Sequence, residues 1–344
     1  MDFFRRHWKI ILCTILLLGF VFYLFKFAKH YPSDIDLKSD PDLWGITFST
    51  KFAKSLALDI QDIYGAILDD LQVKQIRLPI YWDEIENTEG EYYFDEFDYL
   101  LAEGAKRNVK FIVNIGHRLP RWPECHAPAW LAEKNEAEIQ TKTLQMLASV
   151  IKHYQTRPEI IAWQIENEPL VDWFGACPKS DLSFLQTELA LAKKIDPTRP
   201  VIISASGELS MWTREAKVTD ILATTVYRVV WNPVFRYSRY PIPSSFYAWK
   251  AKRVNKLGDN MILSELQAEP WVPANPDNPN FSMTDLSKKQ IDTSMSVEQF
   301  KANLQYAQDI GFSKNYLWGV EWWYWQKINS QTEYWEIAKT LFKK

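Results

Sequence analysis

Apolar residues along this chain follow two rhythms. Short runs rich in β-branched and aromatic residues recur between longer stretches whose apolar positions repeat every three or four residues, which is the alternation expected of strands and helices. The strand-like runs are "WGITF" (44–48), "QIRLPI" (75–80), "VKFIVNI" (109–115), "IIAWQI" (160–165), "VIIS" (201–204), "ILATTV" (221–226), "MILS" (261–264) and "NYLWGV" (315–320). Between them, Asn135 and Glu138 form a capping pair ahead of Ile139, Met146, Val150 and Tyr154, which share one helix face. Ser296 with Gln299 opens a second helix through Phe300, Leu304 and Ala307, and Gly311 stops it. Asp181 opens a third, which ends near Asp196 where "DPTRP" breaks the pattern. The fifth crossover, around "MWTREAK", reads as a short helix.

Eight strands alternating with helices over residues 43–344 predict an α/β fold, a (β/α)8 TIM barrel closed so that no parallel edge is left open. An open doubly wound sheet is the alternative. It would normally carry a glycine-rich phosphate turn after its first strand, and "WGITFSTKFAKS" has none. With 11 glycines in the whole chain, a nucleotide partner is not expected.

The N-terminus fits neither rhythm. No charge interrupts Ile10 to Phe25, and Trp8 to Phe27 is long enough to cross a bilayer if Lys9 and Lys26 reach for the interface. Arg5, Arg6 and Lys9 precede the run, while Asp34, Asp36, Asp40 and Asp42 follow it, so the positive-inside bias leaves the N-terminus cytoplasmic. The expected organisation is a cytoplasmic stub and transmembrane signal anchor (1–28), a linker (29–42) and an extracytoplasmic catalytic domain (43–344). A cleaved secretory signal is the rival reading, but no small-residue cleavage site follows. Cys13 lies in the span, leaving Cys125 and Cys177 in the globular part. They follow strands three and four, which are neighbours in a barrel, and a disulfide bracing the rim is expected in an oxidising compartment. Neither belongs to a CxxC pattern and only His117 and His126 lie near Cys125, so the disulfide is preferred over a zinc site.

Composition narrows the partners. The net charge is −3 and no basic block occurs beyond the extreme N-terminus, so no nucleic-acid footprint is present. A barrel carries its chemistry at the C-terminal strand ends, and there the chain places carboxylates among aromatic rings, with 16 tryptophans overall. That mixture suits a carbohydrate, whose C–H faces lie on aromatic rings while its hydroxyls take hydrogen bonds. Glycosidic cleavage needs one carboxylic acid to protonate the leaving oxygen and a second carboxylate to attack the anomeric carbon or activate water. Glu168 after strand four and Glu265 after strand seven face each other across the predicted mouth. Arg77 and Tyr227 are positioned to keep Glu265 ionised. Glu166, Asp172 and Glu321 are read as structural.

In this setting "WQIENEP" resembles the Asn-Glu-Pro signature of the clan A retaining glycoside hydrolases, the (β/α)8 group of the cellulase-like family 5, family 39 and family 42 enzymes. The resemblance extends over residues 44–325. It implies that Arg77 stands beside the nucleophile, His117 and Trp318 bind substrate, Tyr227 hydrogen-bonds the nucleophile, Asn167 contacts the sugar 2-hydroxyl and Glu168 is the acid/base. Trp271 joins them as a substrate-binding aromatic. The pattern departs at strand seven, where "SELQAEPW" offers both Glu265 and Glu269; Glu265 is preferred because it follows the apolar run directly, at a rigid strand end. The expectation is a membrane-anchored retaining β-glycoside hydrolase needing no metal or cofactor. A non-catalytic glycan-binding barrel and a cell-surface transglycosylase are the alternatives.

Overall fold

The computed structural model describes residues 2–27, 35–172, 174–179, 181–274, 277–278 and 280–343, the side chains of 2–6 and 21–27 excepted. All eight expected barrel strands form: β1 (Trp44–Thr47), β2 (Gln75–Pro79), β3 (Lys110–Ile115), β4 (Ile160–Ile165), β5 (Val201–Ala205) and β6 (Ile221–Val226), then β9 (Met261–Gln267) and β10 (Asn315–Trp318). They pair in parallel around a closed ring, with β1 joined to both β2 and β10. Between β6 and β9 the chain adds an antiparallel hairpin, β7 (Val229–Asn232) and β8 (Arg236–Arg239), absent from the sequence reading. The carboxamide of Asn232 closes its turn by accepting from the backbone N–H groups of Val234 and Phe235, the Asx geometry an Asn-Pro pair favours.

The expected caps are in place. Asn135 and Glu138 satisfy each other's backbone donors at the start of helix Glu136–Tyr154, and Ser296 accepts from Gln299 N–H ahead of helix Val297–Ile310. Gly311, at φ 80°, takes the left-handed position that ends that helix. Asp181 caps helix Leu182–Ile195. The fifth crossover differs: instead of a helix it holds a single 3₁₀ turn, Glu215–Lys217, with Trp212 buried beside it.

Inside the ring, Ile112, Ala162, Ile202, Ala223, Ile262 and Tyr316 form an apolar plug. Side chains on one strand face repeat every second residue, so the next layer toward the C-terminal ends is Asn114, Gln164, Ser204 and Thr225. A register shift between β6 and β9 sets Glu265 directly opposite Thr225. Polar chemistry thus begins one layer above a dry base.

Cys125 and Cys177 are bonded, with Cα atoms 5.3 Å apart, and tie the loop after β3 to the loop after β4. Closing 52 residues of sequence constrains the unfolded chain by on the order of 4 kcal/mol in the loop-entropy view.

The N-terminal helix runs from Asp2 to Phe27, and most of its described apolar side chains, from Trp8 and Ile10 to Leu18 and Phe20, are exposed. Among the described residues no helix is long and apolar enough to cross a membrane; the far end of the expected Trp8–Phe27 span, Val21 to Phe27, has side chains outside the described set. The expected linker also falls partly outside the described residues. Its later part is held against the barrel, with Lys38 N–H donating to Gln308 and Asp40 N–H to the carbonyl of Leu341.

Candidate active site

The turn that follows β4 carries the Asn-Glu pair, and its backbone is strained. Glu166 and Glu168 both have positive φ, 59° and 46°, a region costly for residues with a side chain. Hydrogen bonds hold the turn there. Glu166 N–H donates to Ile115 O at 2.9 Å, Asn167 N–H to Arg118 O at 2.7 Å and Glu168 N–H to Ser204 Oγ at 2.9 Å. The carboxylate of Glu166 accepts from the backbone N–H groups of His117 and Arg118, at 2.7 and 2.6 Å. Gly116 makes room for it, since a Cβ there would lie 2.6 Å from the Glu166 carboxyl. Behind it Glu188 is buried and held protonated by desolvation and by the Glu166 charge, to which it donates. Glu166 is therefore a brace between two loops.

Arg77, fully buried on β2, organises the polar layer. Its Nη1 donates to Glu265 Oε1 at 2.8 Å, its Nε to Gln164 at 2.7 Å, and its Nη2 to Asn114 and Asn167 at 3.0 and 2.8 Å. Tyr227 O–H donates to the other oxygen, Glu265 Oε2, at 2.7 Å. Both oxygens of Glu265 are thus held, one by a guanidinium and one by a phenol.

Glu168 has the opposite environment. Its Oε1 accepts from Thr225 Oγ1 at 2.8 Å, and no cation among the described residues bonds it. Burial first, and the charge of Glu265 second, push its pKa up to about 8, against the smaller opposing effect of the Thr225 hydrogen bond. Thr225 is the register partner of Glu265, and neighbouring strands lie about 4.8 Å apart. One hydroxyl therefore positions the Glu168 carboxyl beside Glu265 across the mouth.

Glu269, the other strand-seven carboxylate, is held elsewhere. Arg121 binds both its oxygens and also reaches Glu321. The same guanidinium lies 3.9 Å from the ring centre of Trp318 and 3.6 Å from that of Phe52, so it covers one face of Trp318. Trp318 still borders the cleft, a cavity of about 1030 Å³ also lined by Asn167, Glu168, Tyr227, Glu265 and Trp271. Trp271 packs edge-on against Tyr227, and the hairpin supplies a further wall through Val230 and Trp231.

His117 does not line this cavity. The turn at Gly116 and the two bonds to Glu166 swing it against the indole of Trp82, ring centres 5.7 Å apart, where burial keeps it neutral with a pKa near 4. His126 lines the cleft instead, packed edge-on against Tyr81. Glu124, on the loop "RWPEC", escaped the sequence reading and presents a buried carboxyl to the same cavity. Its one sequence cue is its place beside a rim cysteine.

Comparison with known proteins agrees with this architecture. The family model for cellulase, glycosyl hydrolase family 5, matches residues 47–257. No curated protein matches the sequence. Among solved structures, a glycosylated family 10 endo-β-1,4-xylanase from Gloeophyllum trabeum is similar with TM-score 0.52 at 13% identity, over 81% of this chain and 85% of that one. An exo-β-1,4-mannosidase from Opitutaceae bacterium strain TAV5 gives TM-score 0.55 at 12% identity, over 84% of this chain and 54% of that one. A β-galactosidase from Bacillus circulans gives 0.53 at 13%, over 82% and 51%. At such identities the likeness is one of fold.

Proposed function

Because the chain belongs to the cellulase family, glycosyl hydrolase family 5, and is a glycosidase, we propose that it cleaves a β-linked glycan by double displacement, with Glu168 as acid/base and Glu265 as nucleophile. The observation that carries this reading is the contrast between two neighbouring carboxyls. Arg77 pairs with one oxygen of Glu265 and Tyr227 donates to the other, while Glu168, buried and facing Glu265 with its pKa raised to about 8, keeps its proton.

In the first step Glu265 attacks the anomeric carbon as the glycosidic bond breaks, and Glu168 gives its proton to the departing oxygen. Forming the glycosyl ester removes the Glu265 charge, which lowers the Glu168 pKa and prepares it as a base. In the second step Glu168 takes a proton from water, whose oxygen attacks the same carbon and frees Glu265. Two displacements retain the configuration. A link from Glu168 through Thr225 to the strand beside Glu265 supports a separation near the roughly 5 Å that retaining enzymes use.

The acid in the first step works only when protonated. With its pKa near 8, kcat/KM is expected to hold below that value and fall about tenfold per pH unit above it. A pH–rate profile on any released glycan checks this, and a fall centred near the ordinary carboxyl range would remove Glu168 from the role.

The N-terminal helix is proposed as a signal anchor that leaves the barrel extracytoplasmic. The uncharged run Ile10–Phe25 and the exposed apolar side chains of that helix support this, because water is an unfavourable neighbour for so continuous an apolar surface. In the full chain, resistance to alkaline extraction from membranes is expected, with the barrel degraded by protease added outside the cell. Release by alkali would contradict it.

A further inference from the structure

We propose that Glu124 is a specificity-determining residue of the cleft, and that it selects a glycan whose reacting sugar carries a free amino group next to the anomeric carbon. This rests on the assignment of Glu168 and Glu265 above. The argument starts from Asn167, the residue beside the acid. Its carbonyl oxygen is engaged by Arg77 Nη2 at 2.8 Å and Ser204 Oγ at 2.9 Å, so its amide group is left to donate. The acceptor it meets is the Glu124 carboxyl. A group that would otherwise contact the neighbouring sugar substituent is thus turned onto a third carboxyl, and Glu124 becomes the reader of that position.

Glu124 is held there firmly. The loop folds back on itself, with Glu124 N–H donating to Arg121 O and Leu119 N–H to Glu124 O, both at 2.7 Å. The next residue is fixed by the rim disulfide, and Gly175 on the opposite loop packs so closely that a Cβ there would lie 2.7 Å from the Glu124 Cβ.

Charge in the cleft is unbalanced in the direction the proposal needs. The lining cations are already occupied, Lys51 by Asp83 and Arg121 by Glu269 and Glu321. Glu265 has Arg77, but Glu124, Glu168 and Glu208 have no ion-pair partner among the described residues. Burial first, and the charge of Glu265 after it, raise the Glu124 pKa well above the usual carboxyl range, against the opposing effects of the Arg118 guanidinium and the Asn167 bond. An ammonium placed between Glu124 and Glu265 compensates the second charge and lets Glu124 ionise, whereas a hydroxyl brings no charge. The second oxygen of Glu124 remains free to accept from the ammonium while the first keeps its bond to Asn167.

The test compares the full chain acting on aryl β-glycosides of 2-amino-2-deoxyglucose and 2-amino-2-deoxygalactose with the glucose and galactose counterparts. An amino sugar is expected to be preferred in kcat/KM by about a hundredfold, the scale on which a site built around one hydrogen-bonded group discriminates. Glu124→Gln, which keeps the shape and removes the charge, should abolish that preference, with the loss in kcat/KM falling on the amino sugars more than on the neutral ones. Equal or better turnover of the neutral sugars by the wild type overturns the proposal, as does a Glu124→Gln loss shared equally by both classes. If neither class is turned over, calorimetric titration with glucosamine and glucose decides: tighter binding of glucosamine, lost in Glu124→Gln, supports it, and equal binding overturns it. Failure of the underlying assignment would look different, as turnover that survives both Glu168→Gln and Glu265→Gln.

Discussion

Glu265→Gln is expected to lower kcat on any cleaved glycan by on the order of 10⁴-fold or more, with the protein still folded. The amide keeps an oxygen for Arg77 and can still meet Tyr227, so the network of Gln164, Asn114 and Asn167 around the guanidinium survives. What disappears is the electron pair that attacks the anomeric carbon. Removing the side chain altogether has a different consequence, because it leaves Arg77 buried without its counter-ion, at a cost of about 3–5 kcal/mol. Glu265→Ala should therefore be both inactive and less stable, and Gln alone separates the two effects. Azide added to the Ala variant is expected to enter the vacated space and give the glycosyl azide of inverted configuration from a substrate with an activated leaving group. Circular dichroism melts alongside steady-state rates make the comparison, and a Gln variant retaining more than a few per cent of wild-type rate would remove Glu265 from the nucleophile's role.

The second large effect belongs to Glu168 and depends on the leaving group. A glycan alkoxide needs a proton as it departs, so Glu168→Gln should reduce cleavage of natural linkages by about 10²–10⁴-fold. A dinitrophenolate departs without help, so the first displacement from such a glycoside should be nearly unchanged. The glycosyl ester then accumulates because no base activates water, which appears as a burst of phenol followed by slow turnover. The wild-type fall in rate above pH 8 should be absent from this variant's first step, since its cause, the raised pKa of Glu168, has been removed. Equal losses on natural and activated substrates would make Glu168 a structural residue of the strained turn.

How far the chain announces this arrangement depends on which residues are asked. The eight barrel strands were legible because buried parallel strands are continuous β-branched and aromatic runs, and "IIAWQI" or "ILATTV" has no other plausible fate. Helix starts at Asn135, Asp181 and Ser296 were legible because capping is local chemistry. The hairpin Val229–Arg239 was missed because its alternation is weak, although the Asn232-Pro233 turn signal was present. "MWTREAK" misled in the other direction, because the burial of Trp212 overrode its helix-forming residues. In the site, Arg77, Asn167, Glu168, Tyr227 and Glu265 converge because each lies on a barrel strand or just past its C-terminal end. His117 and Glu124 sit on loops whose course is set by distant partners: Glu166 draws the backbone at 117 and 118 inward, and the bond from Cys125 to Cys177 fixes the position beside Glu124. Those partners lie about fifty residues away, beyond any local pattern. Trp318 shows the same limit, since nothing near it in the chain foretells that Arg121 covers one of its faces.

The division of labour between the two glutamates is tested most directly by trapping the glycosyl–enzyme. Full-length protein would be incubated with a 5-fluoro-β-glycosyl fluoride of whichever sugar it cleaves, which keeps the substituent beside the anomeric carbon, and the labelled peptide would be sequenced by mass spectrometry. The account predicts one sugar per chain, attached to Glu265, with Glu168→Gln slowing its release. An adduct on Glu269, or release of product with inverted configuration and no adduct, would contradict it.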